Sequence, residues 1–498
     1  MNRLILLGIT LRRCLLLTGG ATLLTLSSCE NQLQEEVFSF VSTDNFYKTA
    51  ADAQAAVAAI YSAMLGDGYY ARGLYDTCIL ADDHGTIGRN PTFQAVDNWN
   101  ITSDHPFIYS LWQDIYSTIN RANTAIARVP GIPMDETQRK ALLAEAYFLR
   151  AYNYFNLVRL WGGVPLSTVE INDRTKVNTP KATPAQIYEQ IIADLRIAET
   201  DLPLKRANNE LGRVTRGAAK TLLAEVYLTH ENWRAAADKA AEVMASGEYR
   251  LLANFPDVFS VSNENNAEII FSIQYDGINN GNWFAAFGHG GGTDNPNTSS
   301  GLQVWSVETK SDIWTLWDTN DPRRSFTVYD KFINKQGREV SIYNTSRPFP
   351  CFGKYNAPNE IANNRCPFNP IVHRYADVLL MFAEATSQAN NGPTQAAYDA
   401  INQVRRRGYR VPLTTASAID VPAGLSAAQF RQAILNERQW EFAVENRRLF
   451  DLMRTKQFPA AIIRQGKTAI ANATLFPIPK AEIDANTAIS DADQNPGF

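Results

Sequence analysis

The chain has 498 residues, of which 45% are hydrophobic, so it is long enough to bury a substantial core in one large domain or two ordinary ones. Its 47 basic and 51 acidic residues give a net charge of -4, and no basic run is longer than Arg405-Arg406-Arg407. This balance supplies no positive field for gathering nucleic acid, and we exclude nucleic acid as a partner.

The N-terminus has the pattern of a signal peptide. Three arginines in the first 13 residues form a positive region, and an apolar run from Cys14 to Leu26 follows them. The run is too short for a comfortable membrane span, and small residues precede Cys29 as in a bacterial lipobox. We predict removal of residues 1–28 and lipid attachment to the Cys29 thiol, which anchors the mature chain to a membrane. The alternative is an ordinary secretory signal in which this cysteine has no role.

Residues 29–40 form a polar tether, and residues 41–498 are predicted to form a single, mainly helical domain. The clearest helix signal begins at Asp135, which caps the first turn. Apolar side chains then recur at spacings of three and four residues until Gly162-Gly163 ends the helix and Pro165 prevents its resumption. About 26 residues at 1.5 Å each give a rod of roughly 39 Å. A helix this long and this apolar must be packed from several sides.

Other stretches extend the helical scaffold. Arg216 to Gly247 and Ala376 to Arg407 each have two helix patterns joined by a short turn, at a spacing close to that of a tetratricopeptide repeat. One helix is predicted from Ser426 to about Thr455. From these elements we predict that residues about 41–250 and about 370–460 form the helical scaffold.

The sequence between the scaffold segments, about 255–370, is of a different kind. Glu268 to Gln274 alternates like a short strand, and Phe326 to Tyr343 has the pattern of a hairpin. Residues 277–301 are rich in Gly, Asn, Ser and Thr, and Gly66 to Pro106 is also predicted to be loop. A long irregular insertion in a helical scaffold is usually functional or disordered, and the aromatic content here argues against disorder.

The aromatic loops are candidates for binding sugars. A sugar has flat C–H faces edged with hydroxyls, so its site needs exposed aromatic planes for stacking and planar polar groups for hydrogen bonds. Trp99 and Trp283 lie beside Asn or Asp in loop sequence, and Trp305 follows the Gly-rich stretch. The alternative for each tryptophan is burial beneath its loop. The predicted ligand-binding residues are Trp99, Trp283, Phe284, Trp305, Asp83 and Arg89.

Two patterns of hydrolytic enzymes occur in part. His289-Gly290-Gly291-Gly292 matches an esterase oxyanion loop, but the chain has no G-x-S-x-G elbow to supply the nucleophile. Glu437, Glu441 and Glu445 share a helix face, and paired carboxylates can hydrolyse glycosides. The arginines around these glutamates favour ion pairing instead.

Metal binding and disulfide bonding are further alternatives. Asp82-Asp83-His84 and His105 are of ligand type but nothing in their spacing fixes a coordination geometry, and no CxxC or Cys/His cluster indicates zinc. Cys351 and Cys366 either close a short loop in an oxidising compartment or stay as buried thiols. We predict no metal and no other cofactor.

Several segments, in order along the chain, carry a family resemblance. They include AEAYFLRAYNYFNLVRLWGGVPL at 144–166, GRVTRGAAKTLLAEVYL at 212–228, ADVLLMFAEA at 376–385, NERQWEFAVENRRLFDLMR at 436–454 and the terminal QNPGF. These segments resemble the SusD/RagB family of outer-membrane nutrient-binding lipoproteins and are spread over almost the whole mature chain.

The resemblance implies a mainly helical fold with four tetratricopeptide-like helix pairs and an irregular ligand-binding portion. It also implies exposure on the outer membrane and a partner, a SusC-like TonB-dependent transporter over which the protein acts as a lid. Members of the family bind glycans or, in some branches, peptides, and they are not enzymes. The ligand-contacting loops vary within the family, so the resemblance assigns no role to Trp99 or Trp283.

The sequence therefore predicts non-catalytic capture of a glycan at the cell surface and its delivery to the transporter. A peptide-binding member of the same family is one alternative. A scaffold whose helix pairs bind only partner proteins is another, and a helical glycoside hydrolase is a third.

Overall fold

In the computed structural model, residues Thr49–Phe498 form one compact unit. Met1–Lys48 form a second unit, of which only residues 46–48 are described. The signal peptide, Cys29 and the tether therefore lie outside the described residues. The structure describes residues 46–87, 90–173, 176–277, 280–284, 288, 295–296, 304–355, 365–467 and 474–498.

Helices make up most of the described chain, as predicted. Within the described residues, no helix has both the length and the apolar composition that crossing a membrane requires. The helices are α1 (Ala50–Ala63), α2 (Gly73–Ala81), α3 (Pro91–Asp97), α4 (Pro106–Arg128), α5 (Glu136–Trp161), α6 (Pro184–Asp201), α7 (Arg216–Thr229), α8 (Trp233–Ala245), α9 (Asp312–Thr315), α10 (Pro322–Thr327), α11 (Tyr375–Ala389), α12 (Gln395–Gly408), α13 (Ala427–Glu441), α14 (Arg448–Arg454), α15 (Phe458–Arg464) and α16 (Lys480–Ala485).

Helix α5 is the predicted long helix. The Asp135 carboxylate accepts a hydrogen bond from the Gln138 N–H at 2.9 Å, and the helix ends at Gly162, whose φ of 70° a residue with a side chain rarely adopts. From Leu142 to Trp161 almost every side chain is buried, because α4 and α6 pack against this helix. The helix, its cap and its end are confirmed.

Both predicted helix pairs are present. α7 packs against α8, and α11 packs against α12. The turns within the pairs place Glu231 and Asn391 in the left-handed region, with φ values of 58° and 54°. α8 also packs against α11, so the two pairs are continuous although the irregular insertion separates them in sequence.

Two predictions of secondary structure are wrong. The segment from Gly66 to Pro106 contains α2 and α3 in addition to loop. The helix predicted from Ser426 to Thr455 is divided into α13 and α14, because Val444 and Asn446 adopt φ values of 62° and 55° that no α-helix can contain.

The strands are short, and all of those described except β1 belong to the insertion and its borders. β5 and β6 form the predicted hairpin around Gly337, and β2 with β8 forms a second antiparallel pair at the predicted strand. The order β1-β3-β7-β4 in the third sheet joins the segment after α2 to the insertion. The strands are β1 (Gly85–Thr86), β2 (Ile269–Ser272), β3 (Ser306–Val307), β4 (Val328–Tyr329), β5 (Lys331–Ile333), β6 (Glu339–Ser341), β7 (Cys351–Phe352) and β8 (Ile371–Arg374).

A buried ionic cluster fastens the insertion to the scaffold. The Glu441 carboxylate on α13 binds the guanidinium groups of Arg374 and Arg407, and it accepts a hydrogen bond from Arg323 on α10 at 2.8 Å. Glu268, just before β2, binds Arg374 and Arg407 at 2.8 and 2.9 Å. All five side chains are buried, so each charge depends on its partners rather than on water.

Candidate ligand-binding surface

The first predicted ligand-binding residue, Trp99, is part of the core. Its ring is 1% exposed and stacks on Phe476 at a centroid distance of 5.1 Å and an interplanar angle of 6°. The Trp99 indole N–H donates to the Ala81 carbonyl at 2.8 Å. The expectation that Trp99 presents an exposed plane is wrong, because α3 and the C-terminal segment enclose the loop that carries it.

Phe284 and Trp305 are also buried, each to 1% exposure. They form an aromatic cluster with Tyr75 of α2, in which the Tyr75–Phe284 centroid distance is 4.1 Å and the Phe284–Trp305 distance is 5.6 Å. The Trp305 indole N–H donates to the Asp76 carboxylate at 2.9 Å. These two rings are therefore part of the core, and the expectation that they are exposed is wrong.

Of the two polar members of the predicted set, Asp83 lies within the described residues and does not reach the surface. Asp83 is buried and accepts two hydrogen bonds of 2.6 Å from Arg448, so its carboxylate is engaged inside the protein rather than presented to a ligand. Arg89 lies outside the described residues, and so does His289 of the esterase-like motif. In the described part of the chain, no group of three or more His, Cys, Asp or Glu side chains is placed to hold a metal ion.

Among the described residues of the predicted set, Trp283 is the one that is partly exposed. Its backbone N–H donates to the Ala71 carbonyl at 3.0 Å, and its indole N–H donates to the Asp67 carboxylate at 3.3 Å. The Arg365 guanidinium lies over the ring, with Cζ 4.4 Å from the ring centroid. The same guanidinium binds both oxygens of Asp67, at 2.7 and 2.9 Å. The ring is therefore held in one orientation before any ligand arrives.

A second guanidinium continues this surface. Arg72 Cζ lies 5.9 Å from the Trp283 centroid and 5.3 Å from that of Phe107, which is itself partly exposed. Arg72 is fixed by a 3.0 Å bond to the buried carboxylate of Asp76. We call the set Asp67, Arg72, Phe107, Trp283 and Arg365 the Trp283 surface.

Each charged side chain of the Trp283 surface has a partner of opposite charge, either within the set or, for Arg72, in the buried Asp76 next to it. Burial raises the pKa of Asp67, but the hydrogen bonds and charge of Arg365 outweigh burial and hold that pKa below its ordinary value. Asp67 is thus ionised at neutral pH beside Arg365, and Arg72 lies beside Asp76. An aromatic plane edged by paired donors and acceptors, without a strong net field, suits an uncharged polar ligand.

The carboxylates considered for glycoside hydrolysis are engaged elsewhere. Glu441 binds three arginines, and Glu445 binds Lys354 at 2.8 Å as well as Arg374. Burial raises the pKa of Glu445, but Arg374 and Lys354 hold it below its ordinary value. Neither group is placed as a proton donor in an open cleft, so this pair has the ion-pairing role that its arginine neighbours predicted.

The cysteine alternatives are also decided. Cys351 and Cys366 are both buried thiols and are not joined by a disulfide bond. The Cys366 thiol donates to the Asn282 side-chain oxygen at 2.9 Å, one residue before Trp283. This contact helps to fix the backbone that carries the exposed ring.

No sequence pattern marks Asp67, Arg72, Phe107 or Arg365 as site residues. Asp67 and Arg365 are 298 residues apart in the chain, and no local pattern connects them. A sequence signal was present only at Trp283, as an aromatic residue among asparagines and glycines in loop sequence.

Comparisons with known proteins identify the class to which this architecture belongs. A sequence model of the SusD family matches residues 229–498, and a model described as starch-binding associating with outer membrane matches residues 39–228. SusD-like protein P2 of Formosa agariphila is 30% identical, covering 96% of this chain and 98% of that protein. The helical scaffold with its loop-rich insertion is thus the fold of a known class of outer-membrane-associated proteins.

Solved structures share this fold, and two of them are described next. A SusD homolog from Bacteroides thetaiotaomicron superposes with a TM-score of 0.79 at 25% identity, covering 91% of this chain and 98% of that one. A laminarin binding SusD-like protein superposes with a TM-score of 0.75 at 27% identity, covering 91% and 100%. The chain belongs to the SusD family.

Proposed function

We propose that this SusD-family protein binds a glycan at the Trp283 surface without chemically changing it. The observation that carries the proposal is the placement of Trp283, a partly exposed ring fixed by Arg365, Asp67 and the Ala71 carbonyl. Relatives named for binding starch and laminarin support a carbohydrate as the ligand class.

The chemistry of the surface fits an uncharged sugar. The exposed part of the Trp283 ring offers an apolar plane to the C–H face of a pyranose. Guanidinium N–H groups and carboxylate oxygens beside the ring donate to and accept from hydroxyls at the edge of the sugar. Because Asp67 and Arg365 already hold each other, binding costs little ordering of side chains.

The test uses a matched pair of tryptophans. Trp314 is also partly exposed and lies beneath a guanidinium, with Arg324 Cζ 5.1 Å from its ring centroid, but it is outside the Trp283 surface. Calorimetric titration with laminarin and with starch should show binding that Trp283→Ala removes and Trp314→Ala retains. Equal binding by wild type and Trp283→Ala would contradict the proposed site. Release of shorter sugars during the titration would contradict a purely binding role.

We propose that the protein acts at the outer membrane, held there by lipid on Cys29, and delivers its glycan to a SusC-like TonB-dependent transporter. The lipobox-like sequence supports the anchor, and the family description that mentions association with the outer membrane supports the location. Cys29→Ser should move the protein from the membrane fraction to the soluble fraction of expressing cells. Unchanged membrane association of that variant would contradict lipid anchoring at this residue.

The transporter is tested separately from the anchor. Purification of the full, membrane-anchored protein in mild detergent should recover a TonB-dependent barrel in fixed stoichiometry. Recovery of the protein alone from cells that express the barrel would contradict the partnership.

A further inference from the structure

A groove runs beside the Trp283 surface. Its larger part, a cavity of about 380 Å³, lies between the C-terminal half of α1, the turn at Gly212 and the residues that follow β2. A second cavity of about 260 Å³ lies between the segment from Leu204 to Arg213 and the length of β2. Both cavities are lined by Leu211, Gly212, Arg213 and Ser272, so the two are direct neighbours, and we call them together the groove.

The groove has a fixed shape. Gly212 has a φ of 88°, and a Cβ at this position would collide with the Gln274 side chain, so only glycine permits the turn to lie this close. Gln274 is itself held, because its amide nitrogen donates to the Ser272 hydroxyl at 2.8 Å and its oxygen accepts from Asn265 at 2.8 Å. A ligand entering the groove meets walls that are already ordered.

The lining combines apolar and polar groups. Leu211, which is 52% exposed, supplies apolar surface, while Ser62 and Asn280 supply a hydroxyl and an amide. Arg213 lines both cavities. Its Nε donates to Glu145 at 2.8 Å, whereas its Nη2 is buried and has no hydrogen-bond partner within the described residues. A buried donor of this kind gains free energy from an acceptor oxygen brought by a ligand.

The groove lies close to the Trp283 surface, because two residues that line the groove are near neighbours in sequence of two residues of that surface. Asn280 lines the groove and Trp283 follows three residues later, which limits their Cα separation to about 10 Å. Leu65 lines the groove and Asp67, which binds Trp283 and Arg365, follows two residues later, within about 7 Å. One extended molecule can therefore occupy both places.

We propose that the groove is a second binding site for the same glycan, taking the sugar units that continue beyond the unit stacked on Trp283. This inference rests on the proposed function of the Trp283 surface. The ligand class is an uncharged oligosaccharide of several units. A hydroxyl or ring oxygen of the continuing units accepts a hydrogen bond from Arg213 Nη2, and their C–H faces lie against Leu211.

To test this proposal, a large side chain is introduced at an exposed position of α1 so that it fills the groove. Ser62 and Ala58 are exposed, lie one turn apart on α1 and line the groove, so Ser62→Trp and Ala58→Trp each fill it without entering the core. Ala55→Trp is the control, because Ala55 is exposed on the same helix about two turns from Ser62 and lines neither cavity. Thermal unfolding of all three variants checks that they fold alike.

The dissociation constant is measured for laminarin fragments and for maltooligosaccharides, each as a disaccharide and as a long chain. Wild type and Ala55→Trp should bind the long chain at least tenfold more tightly than the disaccharide. Ser62→Trp and Ala58→Trp should reduce long-chain affinity to that of the disaccharide and leave disaccharide affinity unchanged. Trp283→Ala should lose binding of both.

Three outcomes overturn the proposal. If the wild-type protein binds the disaccharide and the long chain with equal affinity, it has no second site. If both groove-filling variants keep the high affinity for the long chain, the second site lies outside the groove. Equal loss of both lengths in these variants means that the groove only supports the Trp283 surface. Retention of binding by Trp283→Ala instead identifies a failure of the proposed function itself, on which this inference depends.

Discussion

The guanidinium of Arg365 lies 4.4 Å from the centre of the Trp283 ring while holding both carboxylate oxygens of Asp67. Asp67 also accepts the indole N–H of Trp283, so the three side chains form a closed set of contacts. They come from three distant parts of the chain. An exposed tryptophan in a loop would ordinarily sample several rotamers, and this arrangement restricts it to one.

Arg365→Ala should weaken glycan binding without abolishing it. The ring remains, but the cation–π contact that fixes it, about 0.5–1 kcal/mol at an exposed site, is lost. We expect the dissociation constant to rise about twofold to fivefold in a titration with laminarin or starch. Arg365→Lys should be intermediate, because lysine keeps the charge but not the two parallel hydrogen bonds to Asp67. Arg338→Ala, at an exposed arginine of the β5–β6 hairpin, is the control. Equal affinity of Arg365→Ala and wild type would show that the ring needs no such support.

Trp99→Ala should reduce stability and not glycan affinity. The substitution removes a buried ring stacked on Phe476 and packed against Phe458, which costs about 3–5 kcal/mol. Trp99→Phe should cost less, because a ring remains and only part of the packing and the hydrogen bond to the Ala81 carbonyl are lost. Denaturant unfolding followed by fluorescence measures both. A Trp99→Ala protein of normal stability that no longer binds glycan would return this residue to the binding site.

The contrast between Trp99 and Trp283 shows what a sequence can predict about this site. Both lie beside Asn or Asp in stretches without helical periodicity, and composition alone cannot separate them. The two residues differ in their tertiary contacts. Phe476 from the C-terminal segment covers Trp99, whereas the partners of Trp283 leave part of its ring open.

The long helices with clear caps, such as α5, were predictable because their signals are local. Asp135 caps α5 and Gly162 ends it, and the apolar spacing between them requires no knowledge of the rest of the chain. The division between α13 and α14 was not predictable in this way. Val444 is a β-branched residue with a φ of 62°, a conformation that its own backbone preference disfavours and that no local sequence pattern predicts.

Glu441→Gln should destabilise the fold strongly. Three guanidinium groups, those of Arg323, Arg374 and Arg407, would lose the carboxylate that compensates them in a buried site. Breaking a buried ion pair by removing one partner costs about 3–5 kcal/mol. Glu339→Gln is the control, since Glu339 pairs with Lys331 at the surface with 64% of its side chain exposed, and it should change the free energy of unfolding by less than about 1 kcal/mol. Chemical denaturation of both variants at neutral pH compares them. Similar stability of the two would mean that the cluster contributes no more than a surface pair.

Asp76 should make stability depend on pH in an unusual direction for a carboxylate. Burial raises its pKa from 3.8 to about 6, although the charge of Arg72 and hydrogen bonds from Trp305 and Arg72 act against that rise. In the unfolded chain the same carboxyl titrates near its ordinary value. Between about pH 4 and pH 6 the unfolded chain has released this proton and the folded chain still holds it, so the free energy of unfolding contributed by Asp76 falls as pH rises.

Asp76→Asn removes that titration while keeping a side chain of the same shape beneath Trp305 and Arg72. The stability of wild type relative to Asp76→Asn should therefore decline from pH 4 to pH 6 and then level off, by about 1.4 kcal/mol for each unit by which folding raises the pKa. Urea unfolding of both proteins at intervals between pH 4 and pH 7 gives this difference directly, because titrating groups shared by the two proteins cancel. Parallel stability profiles would mean that Asp76 ionises in the folded protein as readily as in the unfolded chain. The ion pair with Arg72 would then outweigh the burial of the carboxyl.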